Sequence, residues 1–443
     1  MLGEHDDGQT SFMMLPPQVP ASAKRELLLR IRHLIDWKAV REKARPFFAT
    51  IGRPSIDPVV MVKMMLVGYL FGIPSDRRLV EECADSLALR EFLGYPLDEA
   101  LPTHPNFTTW RQRLGAEFFR GLLHDVVLQL AAQGVEFSPA RSVDATTVKA
   151  QADRHGPVVD RPVEMPVAEF VSACFSGDPP PAAAGQTVPL NLHDPDARLQ
   201  CKRCERAEFR YQVSFCADLD SGLITDATAT PREQAQTAVE HLDRDPLPVR
   251  ELAADKLYDQ SVVLTQVHAR GVTAYVPRGK RDKPQQLSKY EFTYQPESDS
   301  YRCPQGHELA HRRFDQGKQL HYYAASARAC QRCPRQSECT PAPYRVVTRH
   351  VAEAGREAAV RAGPRFAQTQ QRRRVNEHLH MLGKRDHNLR RARALGLEAM
   401  QIQAALTALA INLKKVARGG ALLCAHLCRR WARSLHQLDR AAT

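Results

Sequence analysis

The sequence predicts a two-part α/β protein: an all-α N-terminal domain, then an α/β sheet domain. Three observations predict it. Residues 22–135 carry helix caps and helical spacing with little strand alternation. From Ala140 the apolar period falls to two. Beyond residue 206 strands and helices follow one another, the order of a sheet with covering helices.

The clearest helix is "SIDPVVMVKMMLVGYLFG". Asp57 can cap it, Pro58 takes the first helical position, and Gly72 follows the last apolar residue. Apolar residues run nearly all round, which predicts a central helix of a small bundle. Ser75 and Ser86 are the expected caps of two short helices, and "THPNFTTWRQRLG" of a third carrying Trp110, Arg111 and Arg113. Short helices with a basic last element suit a DNA-binding helix-turn-helix in which those three side chains contact DNA. They suit a packing or dimerisation domain equally well.

In "ARSVDATTVKA" Val143, Ala145 and Thr147 alternate with Asp144, Thr146 and Val148, which sets Asp144 on a strand. The Pro- and Ala-rich "SGDPPPAAAGQTVP" is expected as a loop. "EFRYQVSFCADLDSGLITDATATP" reads as two strands joined at Asp220-Ser221-Gly222, followed by a helix over 234–243. "VRELAAD" is a strand ending at Asp255, "QSVVLTQVHARG" a helix closed by Gly271, and "VTAYVP" another strand. Expected boundaries are 1–135, 136–281, a Cys-rich segment at 282–345, 346–418 and a basic tail at 419–443.

Charge narrows the partner. The net charge is +12, and from Gln371 onward fifteen Lys or Arg face four Asp or Glu, so +11 of it lies in the last 73 residues. Positive charge concentrated in this way marks a polyanion partner, usually nucleic acid. The opening "MLGEHDDGQT" lacks the apolar core of a secretory signal. The most apolar run, 394–413, contains Glu398, Gln401, Gln403 and Asn412, costly in hydrocarbon, so a buried helix and no membrane partner are expected. Eleven cysteines, an odd number, point to thiols or metal ligands in a cytoplasmic protein.

Within the basic segment "RRRVNEHLHMLGKRDHNLRR" one carboxylate, Glu377, stands among arginines. With Arg373 at 0° on a helix, Glu377 falls at about 40° and Lys384 at about 20°, while Val375, Leu379 and Leu382 point the other way. Three carboxylates can hold two Mg²⁺ ions flanking a scissile phosphate, with a basic row binding the neighbouring phosphates. Glu377 would need two partners.

The segment "RRRVNEHLHMLGKR" resembles the signature helix of DDE transposases from bacterial insertion sequences, Tyr-x2-Arg-x3-Glu-x6-Lys. Arg373, Glu377 and Lys384 keep its spacing, and Gln370 stands at the Tyr position. "VDATTVKA" resembles the strand of the first catalytic Asp, here Asp144, with Ala145 for the frequent Gly. "AADKLYD" resembles the family's Ala-Asp-Lys-Gly-Tyr-Asp, making Asp255 the second acid, with Leu257 for Gly. The likeness covers roughly residues 45–415.

The resemblance implies a ribonuclease H-like catalytic domain with an insertion. It also implies Mg²⁺ or Mn²⁺ on Asp144, Asp255 and Glu377, and metal-dependent cleavage and strand transfer at the element's ends. Double-stranded DNA, both terminal inverted repeats and target, would be the partner of a homodimer in the bacterial cytoplasm at the nucleoid. Arg373, Arg374, Lys384 and Arg385, with Trp110, Arg111 and Arg113, would bind DNA. Two other readings share these residues: a non-catalytic DNA-binding relic, and a metal-dependent nuclease that cuts without joining.

The insertion has a pattern of its own. Cys303, Cys330, Cys333 and Cys339, with His307 in reserve, can enclose a tetrahedral Zn²⁺.

Overall fold

Asp57 accepts a hydrogen bond from the Val59 amide, and Pro58 follows with its ring already at a helical φ, so the most apolar stretch starts as expected. The computed structural model describes residues 1–4, 22–152, 156–176, 185–201, 206–279 and 287–419. The helices before the first strand are α1 (Ala23–Leu34), α2 (Trp37–Ala44), α3 (Pro58–Leu70), α4 (Asp76–Asp85), α5 (Leu87–Leu93) and α6 (Pro105–Ala132). Every residue of α3 is buried, as its all-round apolar surface requires. Ser75 caps α4 with its hydroxyl; Ser86 precedes α5 without a side-chain capping bond.

The third short helix is a correction. It continues into a 28-residue α6, bent at Gly115, whose φ of 71° and ψ of 169° are non-helical. A positive φ suits glycine, which carries no Cβ to clash, and Ala116 then restarts the helix.

The rest of the chain runs β1 (Ala140–Lys149), β2 (Val158–Pro162), α7 (Val167–Ser176), β3 (Thr187–Asn191), β4 (Arg198–Gln200), β5 (Glu208–Asp218), β6 (Ile224–Thr230), α8 (Thr237–Arg244), β7 (Glu251–Ala253), α9 (Ser261–Ala269), β8 (Thr273–Tyr275), β9 (Thr293–Gln295), β10 (Ser300–Arg302), β11 (Glu308–Asp315), β12 (Leu320–Ala325), α10 (Ala327–Gln331), α11 (Gln336–Cys339), β13 (Val346–His350), α12 (Glu353–Ala358), α13 (Pro364–Arg372), α14 (Val375–Asp386) and α15 (Leu397–Arg418). Contacts divide it into two units, Met1–Val249 with Gln371–Thr443, and Arg250–Gln370.

In the first unit β5 is central. It pairs antiparallel with β1 along Arg141–Lys149, and with β4 and β6 on its other edge. Helix α15, the apolar run with polar residues in it, is buried as expected. Its amides explain themselves. Asn412 accepts from the Ile224 amide and donates to the Ile224 carbonyl, both at 2.8 Å. Gln401 accepts from the Ala229 amide and donates to the Ala227 carbonyl, both at 2.7 Å. A buried polar side chain costs little when both its ends are paired.

Two buried charge clusters underlie the sheet. Arg141, fully buried, joins Asp218 at 3.0 Å and Asp245 at 2.8 Å. Asp226 on β6 is shared by His124 of α6 (2.9 Å), His241 of α8 (2.6 Å) and Arg244 (3.3 Å). His241 also meets the Ser214 hydroxyl at 2.9 Å. Ser214, His241 and Asp226 match a hydrolase triad in connectivity, yet all three are buried, so the cluster is structural. Burial pushes the Asp226 carboxyl up, but the bonds from His124 and His241 outweigh it and hold the group far below the ordinary range.

In the second unit β7 and β8 form a parallel pair with α9 between them in sequence. The 282–345 insertion, expected as a Cys-rich loop, contributes β9 to β12 of a five-stranded antiparallel sheet in the order β13-β12-β11-β10-β9; the fifth strand, β13, lies past the expected boundary at 345, because it pairs with β12. The Pro- and Ala-rich stretch around 177–184 and the basic tail from 420 lie outside the described residues.

Candidate active site

β1 sets Asp144 opposite Phe215 of β5, with the carboxylate mostly buried at 17% exposure. Helix α14 lies along this strand and is bonded to it at three rungs. Asn376 donates to the Ser142 hydroxyl at 2.9 Å, His380 donates through Nε2 to the Asp144 carbonyl at 3.3 Å, and Lys384 donates to the Thr146 hydroxyl at 2.6 Å. Four residues of helix advance about 6 Å and two of strand about 6.7 Å, so helix and strand stay nearly in step. The long Lys384 side chain takes up the residual offset at the last rung.

The buried face of α14 is therefore not the aliphatic one expected. Asn376, Leu379, His380 and Gly383 are buried, while Val375 and Leu382 are only half so. Gly383 continues the helix rather than ending it, and Lys384 is spent on β1 before it reaches any phosphate. Asn376 and His380 escaped the sequence reading. Their signal was the polar residue at every fourth position through Asn376, His380 and Lys384.

Glu377 leaves the helix on the solvent side, 60% exposed. It is not isolated. The Arg373 guanidinium stands 3.6 Å from Asp144 Oδ2 through one nitrogen and 3.6 Å from Glu377 Oε1 through another. One side chain thus faces both carboxylates, at distances longer than a formed hydrogen bond. Arg373 sits just before α14, since the helix is broken between Arg372 and Val375.

Asp255 belongs to the second unit, two residues past the end of β7. Its carboxylate caps a short 3₁₀ turn by accepting from the Leu257 amide at 2.8 Å. Gln370, at the expected tyrosine position, donates to the carbonyls of Ala254 (3.3 Å) and Tyr275 (2.6 Å). It ties α13 to the ends of β7 and β8, directly before Asp255. Among the described residues, no three His, Cys, Asp or Glu side chains stand as placed in a shell ready for a metal ion.

The expected DNA contacts divide. Arg374 and Arg113 are exposed. Arg385 pairs with Asp386 at 2.7 Å. Trp110 is a core residue at 4% exposure, its ring tilted against Phe48 at a centroid distance of 5.0 Å, which corrects its reading as a DNA contact. Arg111 makes a two-pronged pair with Asp76 at 2.6 and 2.8 Å, so its fork is occupied.

Histidines around α14 carry a pH dependence. Burial lowers His380 to about 3 and His387 to about 4, against the bonds to the Asp144 and Tyr69 carbonyls that oppose it. Both stay neutral in the fold at pH 5 while the unfolded chain protonates, so the unfolded state binds more protons and stability falls as pH drops from 6.5 toward 4. Urea unfolding at pH 7.5 and 5.0 is expected to differ by roughly 2 kcal/mol per histidine. His380→Phe should remove its share of the drop; equal midpoints at both pH values would contradict the assignment.

Comparison with known proteins adds the family. A transposase domain (DUF772) matches residues 18–113, and a transposase DDE domain matches residues 302–417. The chain is a DDE transposase of an insertion sequence. The second match takes in α14 and Glu377 of the transposase, and begins beyond Asp144 and Asp255. No curated protein matches the transposase. Among solved structures, the cryo-EM synaptic complex of piggyBac transposase with hairpin DNA is similar at a TM-score of 0.34 and 9% identity, over 90% of this chain and 75% of that one. No helix among the described residues is long and apolar enough to cross a membrane.

Proposed function

We propose that this transposase cuts and joins DNA at its element's ends with Asp144, Asp255 and Glu377 as ligands of two Mg²⁺ or Mn²⁺ ions. The observation that carries the reading is the Arg373 guanidinium set between the Asp144 and Glu377 carboxylates. Two carboxylates that share one cation form a hard oxygen donor set of the kind a divalent ion takes. The strand order β6-β5-β1 and the parallel pair β7-β8 support a ribonuclease H-like sheet, with 136–281 and the part of 346–418 beyond β13 as its two parts and 1–135 as a DNA-binding or dimerisation domain.

Each residue then has a task. β1 holds Asp144 rigidly, and Asn376 and His380 hold α14 to β1, so Glu377 keeps its distance from Asp144. Gln370 fixes the backbone from which Asp255 projects. The ions, when bound, activate the attacking oxygen and steady the leaving one. Arg373, held loosely at 3.6 Å, turns toward a phosphate once its carboxylates have other partners. Arg374, Arg385 and Arg113 supply further backbone contacts to duplex DNA, on which the protein acts as a homodimer.

The ligand set can be mapped without DNA. Fe²⁺ loaded in place of Mg²⁺, with ascorbate and peroxide, generates hydroxyl radicals that cut the chain beside the metal. Cuts near 144, 255 and 377 are expected together, and excess Mg²⁺ should suppress all three. Cuts near 144 and 377 without 255 would remove Asp255 from the set, and none at any of them would sink the reading.

A further inference from the structure

The second unit carries a thiol cluster that DNA chemistry does not use. Cys303 leaves β10 into the turn before β11, Cys330 lies on α10, Cys333 follows it, and Cys339 ends α11. None of the four is in a disulfide. All four, with His307, line one cavity of about 30 Å³. That space holds an ion or a water or two, and nothing larger.

The backbone around the first thiol is folded back on the sulfur. The Cys303 amide donates to the His307 carbonyl at 2.9 Å, the Gly306 amide to the Cys303 carbonyl at 2.9 Å, and the His307 amide to Cys303 Sγ at 3.3 Å. Gly306 takes a φ of 82°, which glycine tolerates and other residues rarely do. Cys333 closes the opposite turn by donating to the Cys330 carbonyl at 3.1 Å.

Charge agrees. Arg345 also lines the cavity, donating to the carbonyls of Cys339 (3.0 Å) and Leu287 (2.8 Å). A divalent ion on four thiolates carries a net charge of −2, and a fixed guanidinium beside it offsets part of that. Packing gives the motive. The five-stranded sheet has a small buried apolar cluster of Phe292, Tyr301, Leu309, Tyr323, Ala325 and Val347, and Cys303, Cys330 and Cys339 pack against it. Small cores of this size gain much from a covalent or metal staple.

We infer that Cys303, Cys330, Cys333 and Cys339 bind one structural Zn²⁺, which staples the β10–β11 turn to the α10–α11 segment. The thiols line the cavity without forming a closed shell, so binding requires the side chains to turn toward the ion. Four thiolates at about 2.3 Å in a tetrahedron match zinc in a closed structural site. The inference does not depend on the carboxylate site, and its test is separate from DNA cleavage.

The full chain, purified without chelator, is expected to carry about one zinc by elemental analysis. A mercurial that titrates thiols should release it, whereas excess Mg²⁺ should not. Co²⁺ exchanged into the wild-type chain should give the visible bands and sulfur-to-metal charge transfer of tetrahedral thiolate. Cys330→Ser with Cys333→Ser should lose the Co²⁺ spectrum or bind at least about tenfold more weakly. A chain free of zinc, whose four thiols react at the rate of simple thiols and which yields no cobalt thiolate band, would overturn the inference. Iron in the same amount would overturn the zinc assignment.

Discussion

Glu377→Gln is expected to lower Mg²⁺-dependent cleavage of the element's end sequences by three orders of magnitude or more, equivalent to about 4 kcal/mol in the barrier. Glutamine keeps the shape and removes the charge a metal needs. Because the side chain is 60% exposed and its contact with Arg373 is long, thermal stability should move by less than about 0.5 kcal/mol. DNA retention on a gel should also persist, since the neighbouring arginines are untouched. That split between lost cutting and retained folding and binding separates a metal ligand from a surface charge. Cleavage within tenfold of wild type would remove Glu377 from the chemistry.

Asp226→Asn should have the opposite signature, with the largest effect on stability. The carboxylate is fully buried, and His124, His241 and Arg244 converge on it. Loss of one partner from a buried ionic cluster leaves the others without compensation, at a cost of about 3 kcal/mol or more. Its folded carboxyl lies below the ordinary value, so its contribution is present above the unfolded value near 3.8 and is lost as pH falls through the folded one. Urea midpoints at pH 7 should therefore separate the variant from wild type widely, and the gap should narrow only in strong acid. A double-mutant cycle with His241→Gln should give a coupling above about 1 kcal/mol. A variant as stable as wild type at pH 7 would show that the cluster holds nothing together.

How much was readable from the sequence followed physical locality. Helix α3 was legible because its cap, its first proline and its apolar surface are contiguous. Asp144 on β1 was legible from alternation, and the amides of α15 were noticed as polar residues in an apolar run. Their partners on β6 were not, since nearly two hundred residues separate them. Gly115 looked like a helix end because glycine often is one; here the chain bends there and continues. The five-stranded sheet was invisible for another reason. β11 buries only Leu309 among eight residues, so no alternation marks it. The role of His380 was hidden because its target is a carbonyl on another element, and no side-chain pattern encodes a carbonyl.

The amides that Asn412 and Gln401 offer to β6 have a further effect. They occupy backbone groups along Ile224–Ala229 that an incoming strand would need. A sheet edge with free donors and acceptors is a template for another chain; one already satisfied from its own helix is closed to it. At these groups a strand of another chain finds its hydrogen-bonding partners already taken, so β6 is a poor place for strand-by-strand association.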